Sequence, residues 1–355
     1  MKPPRKKILF LYFELAGYFL ACIEKFAQLF DVEIHVIRLP LNPVAPFEFK
    51  FNDHINYYER KNYNRDELIA LTKKINPDLI YTCGWIDKDY VRVSRNFKNI
   101  PVILTSDVPW RNTFKQNIAS LVAPFFLPKI FTHIWVPGEP NAKYARRLGF
   151  NNNRLLTGMY SADYDLFHQY YLRYREAKQK QFPKRFIYVG RYTEIKGVRE
   201  LWQAFLQLQK EQPNEWELWC IGKGELDAEF PTHDKIKNFG FVQPKELNKY
   251  IEQTGVFILP THFEHWGVVV HEFAAAGFPM ICSTTTSAAT TFLKEAYNGY
   301  YTLPKDTASI LNAMKKIIAM NGKALYEMGE RSVELSKQIT PETWSNTLWN
   351  LINKN

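Results

Sequence analysis

The chain has 355 residues, 46% of them hydrophobic and 15% aromatic, with a formal net charge of +10 at pH 7. That length suits two domains, each with its own core, and that composition excludes a disordered chain. The four cysteines, Cys22, Cys83, Cys220 and Cys282, stand at no metal or redox spacing and predict buried free thiols in a reducing compartment.

Short apolar runs alternate with helical patterns along the chain. The start imitates an export signal, with basic residues, an apolar run from Ile8 to Ile23, and Phe19-Leu20-Ala21-Cys22 loosely like a lipoprotein cleavage site. Glu14 interrupts that run and Gly17 breaks it, so a strand over 7–13 and a helix over 17–30 are expected instead. A strand over 32–38 and a Pro-rich loop (Pro40, Pro43, Pro46) follow. The rhythm resumes with 66–75, 79–83, 102–105, 130–136 and a helix over 139–148. Such alternation predicts a parallel sheet with crossover helices. No stretch has the ~20 uninterrupted apolar residues of a membrane span; Pro124, Pro128 and Lys129 cut the most apolar one.

Near residue 160 the rhythm stops. Residues 160–183 are dense in Tyr, Arg, Lys and Gln and read as a passage between domains. A second series then begins: strand 185–189, helix 197–210, strand 216–221, a Gly-Lys-Gly turn at 222–224 and a short strand at 239–241. Helix 244–253 and strands 256–259, 278–282 and 299–303 follow, then helix 306–320 and further helices. The expected architecture is α/β, with two Rossmann-like domains whose parallel sheets face one cleft. Its divisions are 1–160, a linker over 161–183, a second domain over 184–335, and a last helix over 336–355 that is a candidate to cross back to the first domain. Charge is uneven: residues 1–180 hold 27 Lys+Arg against 17 Asp+Glu, and residues 181–355 hold 19 of each. A one-sided basic field predicts an anionic partner for the first half, either a membrane surface or a phosphorylated acceptor. No helix-turn-helix, finger or RNP motif accompanies it, so nucleic acid is not an expected partner.

Two constellations carry chemistry. At Gly190-Arg191-Tyr192-Thr193-Glu194-Ile195-Lys196-Gly197 a buried strand ends in Gly and is followed by Arg; five residues later Lys-Gly opens a helix. A guanidinium, an ammonium and free helix-start amides on one rim suit a diphosphate. At Glu264-His265-Trp266-Gly267-Val268-Val269-Val270-His271-Glu272, two carboxylates bracket a turn after the strand that stops at Pro260. In an open α/β sheet, this places both acids in the crevice at the strands' carboxyl ends. The bland alternatives are solvated loop charges for Arg191 and Lys196, a helix cap for Glu264 and a surface position for Glu272.

These two motifs, with Gly222-Lys223-Gly224 and Gly240-Phe241-Val242, occur in an order and spacing that resembles the donor domain of retaining glycosyltransferases of family 4, which have the GT-B fold and an E-x7-E motif. The resemblance covers residues 184–320 strongly and the first 160 weakly. It implies that Arg191 and Lys196 hold the diphosphate of a nucleotide sugar and take up charge on the leaving nucleotide. It further implies that Glu272 meets the ribose and that Glu264 sits beside the donor sugar, these acids and the basic pair making the catalytic and donor-binding set. The Trp266-Gly267-Val268 backbone would approach sugar hydroxyls and phosphate, and the backbone around Phe241 and Val242 the base. Gly190 and Gly17 complete the expected donor contacts, with Gly17 facing the diphosphate from the first domain. Front-face transfer, with the leaving phosphate as base, requires no nucleophile from the protein.

Three departures stand out. Thr105-Ser106-Asp107 occupies the region where the family often has His, making Asp107 a candidate sugar or acceptor contact, or a plain N-cap or turn Asp. Ser283-Thr284-Thr285-Thr286-Ser287-Ala288-Ala289 replaces a Gly-Gly turn, so hydroxyls and helix-start amides there are expected to meet phosphate. Ser161-Ala162-Asp163 replaces a more typical Asn-Gly-Val-Asp. The Asp-x-Asp triplets at 87–89 and 163–165 read as structural, and no cofactor or catalytic metal is expected. The expected activity is transfer of a hexosyl unit, with a UDP-sugar the favoured donor, to a lipid-borne or glycan acceptor. The expected place is the cytoplasmic side, peripheral to the inner face of the membrane. Trp110, Arg111, Lys115, Leu121, Val122, Phe125, Phe126 and Lys129 interleave aromatic, apolar and basic residues, as an interfacial segment or a core helix would. The rival class is a sugar-nucleotide-binding scaffold that has lost catalysis. A Rossmann oxidoreductase is disfavoured, because Glu14-Leu15-Ala16-Gly17 is not a G-x-G-x-x-G loop.

Overall fold

The fold is taken from a computed structural model, which describes residues 4–40, 47 and 51–353. Pro43 and Pro46 of the expected Pro-rich loop lie outside the described residues. The chain divides into two compact units, residues 1–162 with 339–355, and residues 163–338.

The first unit opens with β1 (Lys6–Leu11), α1 (Gly17–Leu29), β2 (Val32–Arg38) and β3 (Ile55–Glu59). It continues through α2 (Arg65–Ile75), β4 (Leu79–Cys83), α3 (Lys88–Arg95), β5 (Val102–Thr105) and α4 (Phe114–Val122). Next come α5 (Leu127–Ile130), β6 (His133–Trp135), α6 (Glu139–Arg147) and β7 (Leu155–Leu156). All seven strands are parallel, in the order β3-β2-β1-β4-β5-β6-β7. Alternate residues of β1 serve two cores: Ile8 and Phe10 join one cluster with α1, while Leu9 and Leu11 join another with α3 and α6. A strand buried on both faces reads as a continuous apolar run, as Ile8-Leu9-Phe10-Leu11 does. The stretch that imitates an export signal is therefore β1 and α1.

The second unit comprises α7 (Tyr164–Lys180), β8 (Arg185–Val189), α8 (Val198–Glu211), β9 (Glu217–Ile221) and β10 (Ile236–Asn238). It adds α9 (Asn248–Gln253), β11 (Val256–Leu259), α10 (Val268–Ala275), β12 (Met280–Ser283), α11 (Ala289–Phe292), β13 (Gly299–Thr302), α12 (Thr307–Ile318) and α13 (Gly322–Ser336). Its six strands are also parallel, in the order β10-β9-β8-β11-β12-β13.

The segment expected as a passage, 161–183, contains α7, a 17-residue helix that packs on α10, α13 and α9. Its inward residues include Tyr170 and Lys178 beside Phe167, a polar mixture that hides the helical period. The strand expected at 239–241 sits three residues earlier as β10. The Asn238 side chain accepts the Gly240 N–H, 3.0 Å away, and turns the chain out of the sheet. The last helix, α14 (Pro341–Asn353), belongs to the first unit and lies along α1. Its Trp344 is buried, stacks on Trp135 with ring centroids 5.3 Å apart, and donates from Nε1 to the Met159 carbonyl. Burial of one such ring is worth about 1.5–3 kcal/mol. Among the described residues no helix is long and apolar enough to cross a membrane.

Candidate functional site

In the second sheet the strand order reverses between β8 and β11. Loops leaving neighbouring strands in opposite directions open a crevice at their carboxyl ends, where open α/β sheets take ligands. The β8 loop carries Gly190, Arg191 and Lys196, and the β11 loop carries Glu264. Both loops are tied in place. The Thr261 hydroxyl donates to the Ile195 carbonyl at 2.7 Å, and the His262 N–H donates to the same oxygen at 2.8 Å. His262 Nε2 meets Glu200 Oε1, in the first turn of α8, at 2.9 Å. This lattice brings the Lys196 ammonium into a hydrogen-bonded ion pair with the Glu264 carboxylate, both side chains largely shielded.

Glu264 is held from its other side as well. Its backbone bridges to Thr286, its N–H donates to the Thr285 carbonyl, and its carbonyl accepts the Ser287 hydroxyl at 3.2 Å. The Ser283 and Thr285 hydroxyls bond each other at 2.8 Å, and Thr285 also bonds the Thr261 carbonyl. Of the hydroxyls expected to face phosphate, those of Ser283, Thr285 and Ser287 are engaged in fixing the Glu264 loop, whereas Thr286 Oγ1 is buried with no hydrogen-bond partner. Ordinary sequence spacing gave no sign of this, nor of the His262–Glu200 tie.

Gly267 lies at φ +92°, just before α10, and a Cβ there would meet Glu264 Cγ at 2.9 Å. Only glycine holds this position without strain. The Trp266 ring is buried against Phe292 rather than presented to the crevice, and its carbonyl accepts the Ala288 N–H. Val268 is the half-buried first residue of α10. Glu272 follows one turn later on that helix. Burial pushes its carboxyl up to about 8, and the Asp163 carboxylate adds to the rise. Burial likewise raises Asp163, whose side chain caps α7 by accepting the Leu166 N–H at 3.3 Å. Among the described residues no ion pair involves Glu272. The two acids of the motif therefore differ: Glu264 has a cation and Glu272 has another acid.

The tips of β8, β9 and β10 meet closely. Gly190 N–H donates to the Ile221 carbonyl, and Gly222 N–H to the Gly240 carbonyl. A Cβ on Gly222, at φ +155°, would lie 1.8 Å from the Gly190 carbonyl oxygen. Arg191 is exposed on this rim, and Phe241 and Val242 are half-buried beyond Gly240.

In the first unit, Gly17 is the exposed first residue of α1, with open space where a Cβ would be. Asp107 follows β5. It is not a helix cap, since Thr113 caps α4; it accepts from Tyr160 at 3.4 Å, and its carbonyl accepts from Asn141. Tyr18 packs edge-on against Tyr160, with ring centroids 5.3 Å apart. Asp87 caps α3, and Asp89 pairs with Arg60 and Arg65 at 2.7 and 2.8 Å. His271 is buried, bonds the Ser336 carbonyl and is pushed down to about 4 by burial. Among the described residues no group of three or more His, Cys, Asp or Glu is placed to hold a metal ion.

Residues 183–320 match the family model described as Glycosyl transferases group 1. This stretch is similar to group 1 glycosyltransferase domains. It contains Arg191, Lys196, Glu264 and Glu272. An uncharacterized glycosyltransferase of Methanocaldococcus jannaschii is 24% identical over 177 residues, which is 48% of this chain and 44% of that protein. The chain thus spans less than half the length of that curated relative. Among solved structures, a sucrose-phosphate synthase from Thermosynechococcus elongatus matches with a TM-score of 0.75 at 17% identity, covering 99% of both chains. Anabaena HepE, solved with UDP, matches with a TM-score of 0.74 at 13% identity, covering 98% of this chain and all of that one. These likenesses give the fold of the chain as GT-B.

Proposed function

We propose that the protein is a retaining glycosyltransferase. It moves a hexosyl unit from a nucleoside diphosphate sugar, a UDP-sugar in the favoured case, to a lipid-borne or glycan acceptor at the inner face of the membrane. The observation that carries this reading is the meeting of Lys196 and Glu264 at the carboxyl ends of β8 and β11, with Arg191 on the same rim. A cation already paired with a carboxylate is placed to exchange that partner for diphosphate. Arg191 and Lys196 then neutralise charge that grows on the leaving nucleotide, the kind of stabilisation that usually dominates such displacements. Glu264, released from the pair, accepts hydrogen bonds from donor-sugar hydroxyls, and Gly267 lets the backbone approach them. Glu272 takes the ribose diol, the Phe241-Val242 backbone meets the base, and Gly190 and Gly17 approach the diphosphate. Asp107 contacts the sugar or the acceptor. The acceptor oxygen bonds to the anomeric carbon on the face the nucleotide leaves, while the bond from that carbon to the phosphate oxygen breaks. The hydroxyl proton passes to the leaving phosphate, which retains the anomeric configuration.

Thermal denaturation against a panel of nucleotides and nucleotide sugars tests the donor class, because a ligand of the native state raises the melting temperature. A rise with UDP and one UDP-sugar is expected, and no rise with any member sinks the reading. The anomeric configuration of the product, read by NMR, tests retention.

A further inference from the structure

Helix α4 is built inside out. Its single buried residue is Gln116, while Phe114 is 79% and Leu121 73% exposed, with Ile118 and Val122 also outward. The next turn adds Phe125 at 73% exposure. Gln116 faces inward for a reason: its amide accepts the Arg111 N–H and donates to the Pro109 carbonyl, both at 2.8 Å, locking the loop that leads into the helix. A surface helix of a globular unit normally turns its apolar stripe to the core. The β4–α3 loop extends the patch, because Trp85 stacks on Phe126 with centroids 6.3 Å apart and leaves its neighbour Ile86 81% exposed. Contiguous apolar surface of this kind marks an interaction site.

Charge selects the occupant. Residues 108–138 contain no Asp or Glu, while Arg111, Lys115 and Lys129 flank the apolar side chains. Helix α6 packs against α4 and adds an open notch of about 390 Å³ lined by Trp110, Lys143, Arg146 and Arg147. The Arg147 guanidinium lies 4.3 Å over the Trp110 ring, and Arg146 is paired with Glu139 at 2.7 Å. The first unit as a whole holds 24 Lys+Arg against 15 Asp+Glu. Two copies of this face would set like charge against like charge. An anionic bilayer answers both halves of the pattern, since acyl chains receive Phe and Leu while headgroup phosphates meet Lys and Arg.

We infer that α4 and the turn after it form a wedge that enters the interface of an anionic phospholipid membrane, with the notch beside it receiving a headgroup phosphate. The wedge follows β5 on the same sheet edge as Asp107, so it would bring a lipid-borne acceptor to that edge. This last point rests on the proposed transfer, whereas the docking itself does not.

Sedimentation with vesicles of phosphatidylcholine alone and of phosphatidylcholine with phosphatidylglycerol, at low salt, tests it. The full chain should pellet with the anionic vesicles and much less with the neutral ones. The triple variant Phe114→Ser/Leu121→Ser/Phe125→Ser should bind about tenfold or more weakly, with its melting temperature and its response to UDP unchanged. Lys143→Glu should weaken binding at low salt and lose that effect at high salt. Wild-type protein that stays in solution overturns the inference, as does equal binding to neutral vesicles or a triple variant that pellets like wild type. A wild-type dimer that the triple variant dissolves also overturns it, assigning the face to a second copy. A protein that docks but does not respond to any nucleotide sugar keeps the wedge and loses the transfer reading.

Discussion

The Lys196 ammonium and the Glu264 carboxylate, 68 residues apart in sequence, are ion-paired at the carboxyl ends of β8 and β11. The pair is partly shielded from water, so each partner competes for the other with any incoming ligand. Lys196→Ala should weaken UDP binding by roughly tenfold to a hundredfold, the worth of a charge-assisted hydrogen bond. Glu264→Gln should leave UDP binding intact or tighter, because a carboxylate no longer holds the lysine, while turnover with the UDP-sugar falls by about a hundredfold or more. Calorimetry with UDP beside steady-state kinetics checks both, and equal losses of UDP binding in the two variants would refute the exchange.

Glu272 contributes to the pH dependence of stability. Its pKa is raised in the fold, to about 8, first by burial and then by Asp163. Within that window the folded state holds a proton that the unfolded state has released. The stability linked to this proton is fully present below the ordinary glutamate range and is lost as the pH rises through about 8. Glu272→Gln should therefore melt higher than wild type above pH 8, by ~2–4 °C for each kcal/mol recovered.

On the proposed contact of Glu272 with the ribose, the same carboxyl links binding to protons. A ribose diol donates hydrogen bonds, which favours the ionised acid. UDP binding at pH 7 should release protons and tighten as the pH rises towards 8, and Glu272→Gln should abolish both effects. Calorimetry in two buffers of different ionisation heat measures the release.

Two glycines should respond in opposite ways. Gly222→Ala puts a methyl group 1.8 Å from the Gly190 carbonyl oxygen and should cost several kcal/mol, seen as a fall of order 10 °C in melting temperature. Gly17→Ala meets open space and should leave stability within about 0.5 kcal/mol. If Gly17 does approach the diphosphate, Gly17→Glu should weaken UDP binding in a chain that still folds.

Trp344→Ala removes a buried ring that touches Trp135, Phe10 and Tyr81. A loss of about 3–5 kcal/mol is expected, with the first unit melting first in calorimetry.

Strands buried on both faces were the most legible parts of the chain. Val32–Arg38, Leu79–Cys83, Val102–Thr105, Arg185–Val189 and Val256–Leu259 lie where their apolar runs put them. β3 was not legible, because Ile55 is its only buried residue, and α7 was not, because tyrosines and a lysine line its inner face. At the site, residue type and order singled out Arg191, Lys196, Glu264 and Glu272. They did not indicate who pairs with whom: Glu264 takes Lys196 through a fold-made contact, and Glu272 takes Asp163 as its charged neighbour across the start of α7. Ser283, Thr285 and Ser287 read as ligand hydroxyls, since sequence cannot tell a hydroxyl spent on a neighbouring carbonyl from one left open.

Because α14 completes the core that β1 and α1 begin, the first unit is discontinuous in the chain while the second is continuous. During synthesis the first 162 residues must wait, with an aromatic socket unfilled, until the last 17 are made. The later-synthesised unit can close on local contacts before the earlier one is finished, reversing the usual order of N-terminal domain first. A released chain truncated after Gln338 should thus carry a protease-resistant second unit beside a protease-sensitive first one.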